Sequence, residues 1–127
     1  MIRAALALVP GLAPGLTAPA AAQPDPAFPA PDCAALWTAT ARFRARHAID
    51  PAPPEPAAAM AAAFRAAAVQ MGADPGTLDA RIAALVPVYL VLLQRSILDG
   101  DRAAQDQYEW LSGLCRDLAQ ARGLAGH

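Results

Sequence analysis

The chain has 127 residues, 13 of them proline, and a formal net charge of −1 at pH 7. This length accommodates one domain. All ten basic residues are arginine and most are spread along the chain, so the sequence does not indicate a basic surface that binds nucleic acid. The two cysteines and two histidines include no C-x-x-C motif and no histidine pair, so no metal ligands or cofactor are assigned.

The first 22 residues have the pattern of a secretory signal peptide. Arg3 supplies the positive start, an apolar region follows, and Ala20 and Ala22 supply the small residues of a cleavage site. Cleavage before Gln23 delivers the mature protein to the periplasm or the exterior of a bacterial cell. The alternatives are an uncleaved anchor or a disordered Ala/Pro-rich tail, because prolines interrupt the apolar region.

In residues 23–31 every second or third residue is a proline, which predicts an extended lead-in. Asp32 is the expected N-cap of a first helix that begins at Cys33. Spacings of three and four residues predict its inward face, with Trp37 at the edge of that face: Cys33, Leu36, Thr40, Phe43 and His47.

Three arginines lie in the last turns of the first helix, where the helix dipole favours positive charge. They are either a solvated helix end or a contact for an anionic ligand. The candidate anion contact consists of Arg42, Arg44 and Arg46.

A second helix is predicted from about Pro56 to Met71, and a third begins at Asp74 and Pro75. In the third helix, residues 82–98 are the most hydrophobic part of the mature chain and are apolar on two faces. We therefore expect this segment to be the buried central helix. Pro87 is expected to kink this helix without breaking it.

The run of uncharged residues between Arg81 and Arg95 is shorter than the roughly 20 apolar residues that a transmembrane span needs. No span is predicted in the mature chain. The alternative to full burial is a helix covered half by the protein and half by a partner. That alternative gives a candidate partner surface formed by one stripe of the helix and two tryptophans: Val86, Leu90, Leu93, Ile97, Trp37 and Trp110.

Gly100 and Asp101 predict a tight connection and the N-cap of a fourth helix that ends near Arg122. Cys33 and Cys115 lie on the inward faces of the first and last helices, and in an exported protein they predict one disulfide. A free thiol or a metal pair is the alternative.

The disulfide also predicts a register between antiparallel neighbours, in which the numbers of opposing residues sum to about 148. This register pairs Trp37 with Leu111, Thr40 with Tyr108, and His47 with Asp101. The last of these is a candidate histidine–carboxylate pair.

The sequence predicts an all-α protein, a small antiparallel four-helix bundle over residues 32–122 that is tied by one disulfide and followed by a flexible tail, 123–127. No nucleophile with a base and no converging carboxylates are suggested, so no catalytic residue is assigned. The expected function is a non-enzymatic protein-interaction module, such as an accessory subunit, an inhibitor or a chaperone-like binder. Its expected partner is an unknown protein or a second copy. The alternative is a carrier of a ligand or cofactor in the bundle core.

Overall fold

The computed structural model describes residues 25–48 and 52–124. The predicted signal peptide and the last three residues lie outside these ranges. The described chain is all-helical without strands, which confirms the predicted fold class. Its elements are α1 (Ala30–His47), α2 (Pro54–Gln70), α3 (Pro75–Leu93), a π-helical turn that continues α3 (Gln94–Leu98), and α4 (Arg102–Arg122).

Helix α1 begins three residues earlier than the sequence suggested. Ala30 is its first residue and Pro31 lies in the first turn, where a missing N–H leaves no helical hydrogen bond unmade. The residues before it form turns and are not extended: the Asp25 carboxylate accepts a hydrogen bond from the Ala27 N–H at 2.8 Å. Asp32 therefore lies inside α1, and its predicted role as the N-cap is wrong.

Helix α1 is the buried centre of the fold. Residues 30–36 are all buried, and so are Ala39 and Phe43 further along. Helices α2 and α3 both pack against α1, and the disulfide fastens α4 to it. Since four of the buried α1 residues are alanines, neighbouring backbones can approach from several directions. The prediction that the segment 82–98 is the central helix is wrong.

Helix α3 buries one side only. Val86 and Leu93 are among its buried residues, whereas Val88 is 56% exposed and Val91 is 50% exposed. Only 28% of the most apolar 18-residue window of residues 75–98 is buried. This follows from the packing, because α1 covers one side of α3 and α4 meets α3 mainly at the π-helical turn.

Pro87 lies on the exposed side of α3, and the helix continues through it as predicted. The regular phase is lost further on, at the π-helical turn, which fits more residues into a turn than an α-helix does. Ser96 is buried there, while Ile97 is 53% exposed. Ile97 is therefore exposed, unlike Val86 and Leu93 of the same predicted stripe.

The predicted N-caps of α3 and α4 are confirmed, whereas α2 begins at Pro54, two residues before the predicted start. The carboxylate of Asp74 accepts a hydrogen bond from the Thr77 N–H at 3.1 Å, and that of Asp101 accepts one from the Ala104 N–H at 3.0 Å. Helix α4 ends at Arg122. Of the predicted tail, Leu124 packs against the core.

Candidate functional site: the outer face of α3

The predicted disulfide is confirmed. Cys33 and Cys115 are bonded, their Cα atoms are 5.6 Å apart, and both residues are buried. Thr40 and Tyr108, which the register pairs, line the same cleft beside this bond. The bond therefore aligns α1 with α4 at this level of the bundle.

The candidate pair of His47 and Asp101 is not brought together. The Asp101 carboxylate caps α4, and the exposed His47 ring lies against Phe43 with ring centroids 4.4 Å apart. No ion pair joins the two within the described ranges. The physical reason is that α1 and α4 touch over a short length only, so the register does not extend to the end of α1.

The three arginines of α1 do not form one anion contact. A rotation of about 100° per residue places Arg44 on a different side of the helix from Arg42 and Arg46. Arg42 and Arg46 are exposed, while the Arg44 guanidinium lies over the Trp37 ring, 6.0 Å from its centroid. Only Arg44 is positioned beside a cleft.

The two tryptophans lie on different surfaces. Trp37 is half-buried and shares a cleft with Ser112 of α4. Trp110 precedes Ser112 by two residues, a rotation of about 200° around the helix, and is 60% exposed. A single partner surface that includes both tryptophans is therefore not formed.

The predicted apolar stripe on α3 belongs to the core. Val86 and Leu93 are buried and Leu90 is half-buried, so these side chains are not free to meet a partner. Several other apolar residues of α3 and its π-helical turn are exposed, and we call the surface that they form the outer face of α3. It consists of Ala80, Ala84, Pro87, Val88, Val91 and Leu98.

Arg81 is the one charged residue between Ala80 and Val91, and its position seven residues before Val88 places it on nearly the same side of α3. The charged side chains here are paired with other parts of the chain: Asp79 with Arg65 of α2, and Arg81 with carboxylates near the start of α1. The next charge along the chain is that of Arg95, in the π-helical turn. Residues 75–98 are long and apolar enough to cross a membrane, by length and composition alone.

A buried polar cluster, which sequence reasoning missed, anchors α3 to α1. The Tyr89 hydroxyl donates to one oxygen of the Asp32 carboxylate at 2.6 Å, and the Arg81 guanidinium donates to the other at 3.3 Å. Arg81 also pairs with Asp25. Burial raises the pKa of the Tyr89 phenol, and its hydrogen bond to Asp32 raises that pKa further. The eight-residue spacing of Arg81 and Tyr89, two turns on one side of a helix, is the sequence signal that could have indicated this cluster.

Within the described ranges, no three His, Cys, Asp or Glu residues are grouped so that they could hold a metal ion. Compared with known protein families, curated proteins and solved structures, the chain matches none.

Proposed function

We propose that this protein is an exported, non-enzymatic interaction module that docks an apolar helix of a partner protein on the outer face of α3. The observation that carries the proposal is the exposure of Val88, Val91 and Leu98, each about half exposed, on the most apolar helix of the described chain. The largest apolar patch on the surface of a monomeric protein is often functional.

A helix suits this face because the chain already uses the same surface chemistry to pack its own helices. Small residues line the buried sides of α1 and α2, among them Ala35, Ala39 and Ala61. The outer face repeats small side chains at four-residue steps, at Ala80 and Ala84, before Val88. Such steps align residues along one side of a helix and let a second backbone approach closely.

The size of the outer face favours a partner over a second copy. From Ala80 to Leu98 it extends about 27 Å and has the width of one helix, about 10 Å. A footprint of about 270 Å² is well below the roughly 800 Å² per subunit of a stable dimer. A partner segment that continues beyond α3 can bury more, because it is not restricted to contacts between two copies of this face.

The disulfide supports the exported part of the proposal, because disulfides persist in oxidising compartments. The polar cluster supports the non-enzymatic part. Asp32, the most buried carboxylate of the described chain, engages one oxygen with Tyr89 and the other with Arg81. This arrangement is typical of a structural anchor and leaves no free base beside a nucleophile.

The test is site-specific photocrosslinking in cells that export the full chain. A photoreactive residue replaces Val91 on the outer face, and in a matched control it replaces Ala62, which is exposed on α2. We expect an adduct from position 91 only, we expect mass spectrometry to locate the link on an apolar helix of another protein, and we expect Val88→Glu to abolish the adduct.

Equal adducts from positions 91 and 62, or none from position 91, would contradict the docking proposal. An adduct of twice the chain mass would show that the outer face binds a second copy of this chain and not another protein. If the purified protein floats with phospholipid vesicles and Val88→Glu does not, the outer face binds a lipid surface and not a protein. Near-ultraviolet circular dichroism of the variants checks that each is folded.

A further inference from the structure

A second candidate site is a cleft between α1, α2 and α4, beside the disulfide, with a volume of about 190 Å³. Its apolar lining comes from all three helices and includes one cysteine of the disulfide: Leu36, Met60, Phe64 and Cys115. An apolar cavity of roughly 150 Å³ is enough to hold a benzene molecule. The cleft therefore has room for an aromatic ring or a short alkyl chain.

The polar lining of the cleft is rich in hydrogen-bond donors. Arg44 and Arg116 contribute two guanidinium groups, and Tyr108 and Ser112 contribute two hydroxyls. No carboxylate is among the lining residues, and neither arginine has an ion-pair partner in the part of the chain that the structure describes. Two unneutralised cations next to apolar side chains favour a ligand that combines an anionic group with an apolar body.

We propose that this cleft binds a small amphipathic carboxylate, with its apolar part among the apolar lining residues and its carboxylate between Arg44 and Arg116. The proposal concerns a different surface from the outer face of α3 and does not depend on docking there. Guanidinium groups suit this role because they present several N–H donors in a plane that matches a carboxylate.

Two features hold the walls of the cleft in place. The Arg44 guanidinium lies over the Trp37 ring, so part of its rotational freedom is lost before a ligand arrives. The disulfide fixes the α4 wall, since α4 otherwise makes few contacts with α1. Reduction of Cys33 and Cys115 is therefore expected to weaken ligand binding.

A second depression on the described surface lacks these features. It has a volume of about 270 Å³ and is lined by Arg81, Asp25 and Asp74 among others. Arg81 is already paired with Asp25 and Asp32, so its charge is neutralised there. The cleft beside the disulfide is the one that offers positive charge without a protein partner.

The experiment uses Trp37 fluorescence in a Trp110→Phe background, because Trp110 is exposed on another surface. Benzoate and octanoate are the probes, and benzyl alcohol and 1-octanol are their neutral counterparts. We expect saturable binding of at least one carboxylate at millimolar concentration, weaker for its alcohol by about tenfold, since a charge-assisted hydrogen bond contributes that much or more. Binding of benzoate alone, octanoate alone or both identifies the apolar body.

Three matched arginine variants decide the role of charge. Arg44→Gln and Arg116→Gln are each expected to weaken carboxylate binding by about tenfold, while Arg42→Gln, which alters an exposed arginine outside the cleft, leaves it unchanged. Reduction of the disulfide weakens binding in a protein that circular dichroism shows to be helical. No saturable binding of either carboxylate would overturn the proposal. Equal binding of acid and alcohol, or the same loss in Arg42→Gln as in Arg44→Gln, would overturn it too.

Discussion

In the structure α1 is the buried helix and α3 is exposed on one side, although the sequence predicts α3 as the buried central helix. Nine of the 18 residues of α1 are buried, including an aspartate, whereas only five of the 19 residues of the more apolar α3 are buried. Position in the bundle decides the difference, because α1 has neighbours on several sides and α3 on one. Small residues can line a crowded centre, and large apolar residues can remain at a surface.

The difference separates apolar residues that the fold needs from those it does not. Removing Val86 or Leu93 from water stabilises the domain, by about 1.5 to 3 kcal/mol for each such side chain. Val88 and Val91 contribute less, since about half of each residue remains in water. Their apolar character is what the proposed docking function explains.

The largest expected effect comes from a charge on the buried side of α3. Val86→Glu places a carboxylate where no partner exists, so we expect a loss of more than about 5 kcal/mol of unfolding free energy, enough to unfold the domain. Val91→Glu is the matched control on the outer face, with an expected change within about 0.5 kcal/mol. Urea unfolding measures both. Similar losses in the two variants would mean that α3 is buried on both sides.

The next effect tests the attachment of α4 to α1. Cys33 and Cys115 are separated by 82 residues in the sequence, and their bond closes the loop between them. When both are replaced by alanine, chain entropy predicts that the unfolding free energy falls by about 4 to 5 kcal/mol. Urea unfolding of this double variant, compared with the disulfide-bonded parent protein, measures it. A loss below about 1 kcal/mol would show that packing alone holds α4.

A smaller effect is expected at the polar cluster between α1 and α3. Tyr89→Phe leaves one oxygen of the buried Asp32 carboxylate without its donor, at an expected cost of about 1 to 3 kcal/mol at pH 7. The raised pKa of Tyr89 adds a pH dependence: its stabilisation is complete below the unfolded value of about 10 and is lost as the pH rises toward the folded value.

Unfolding between pH 8 and pH 11 measures this dependence. The parent protein should lose stability above about pH 10, and Tyr89→Phe should lose less over the same range. Tyr108→Phe serves as the control, since Tyr108 lies in the cleft and donates no buried hydrogen bond within the described chain. Equal alkaline losses in parent and Tyr89→Phe would contradict the assignment.

The smallest effect is expected at the exposed pair that links α2 to α3. Arg65 donates to both oxygens of Asp79, at 2.6 and 3.0 Å, and this lowers the pKa of Asp79. Its stabilisation is present above the unfolded pKa of about 3.9 and is lost as the pH falls through the folded value. The melting temperature of Asp79→Asn should therefore lie slightly below the parent's at pH 7, with the gap closing in acid. A gap that widens in acid would contradict this sign.

Local signals in the sequence predicted the fold class, the helix caps at Asp74 and Asp101, and the bond between Cys33 and Cys115. These features depend on neighbouring residues or on a single pair. The central helix was not predictable in the same way, because burial of α1 depends on how many helices surround it and not on its own apolar content. Ile97 is exposed in the π-helical turn although regular spacing aligns it with the buried Val86 and Leu93, and spacing rules that assume a regular helix do not predict such a turn.

The candidate site, too, was predictable from the sequence only in part. The sequence indicated that the apolar helix could meet a partner, but it placed the contact on the stripe that contains Val86 and Leu93, which α1 covers. From the sequence alone, the stripe with Val86 and Leu93 and the outer face of α3 are equally suited to meet a partner. Only the position of the neighbouring helices distinguishes them. Arg44 was singled out with Arg42 and Arg46, and only the packing of Trp37 and α4 around it distinguishes it from them.

Solvent accessibility of the valine methyl groups tests the central claim most directly. In the intact disulfide-bonded protein, a neutral paramagnetic gadolinium chelate added to the solution broadens the nuclear magnetic resonance signals of methyl groups that it can approach. The account predicts strong broadening for Val88 and Val91 and protection for Val86, with the buried methyls of α1 equally protected. Protection of Val88 and Val91 to the same degree as Val86 would contradict it, because α3 would then be surrounded and no outer face would exist.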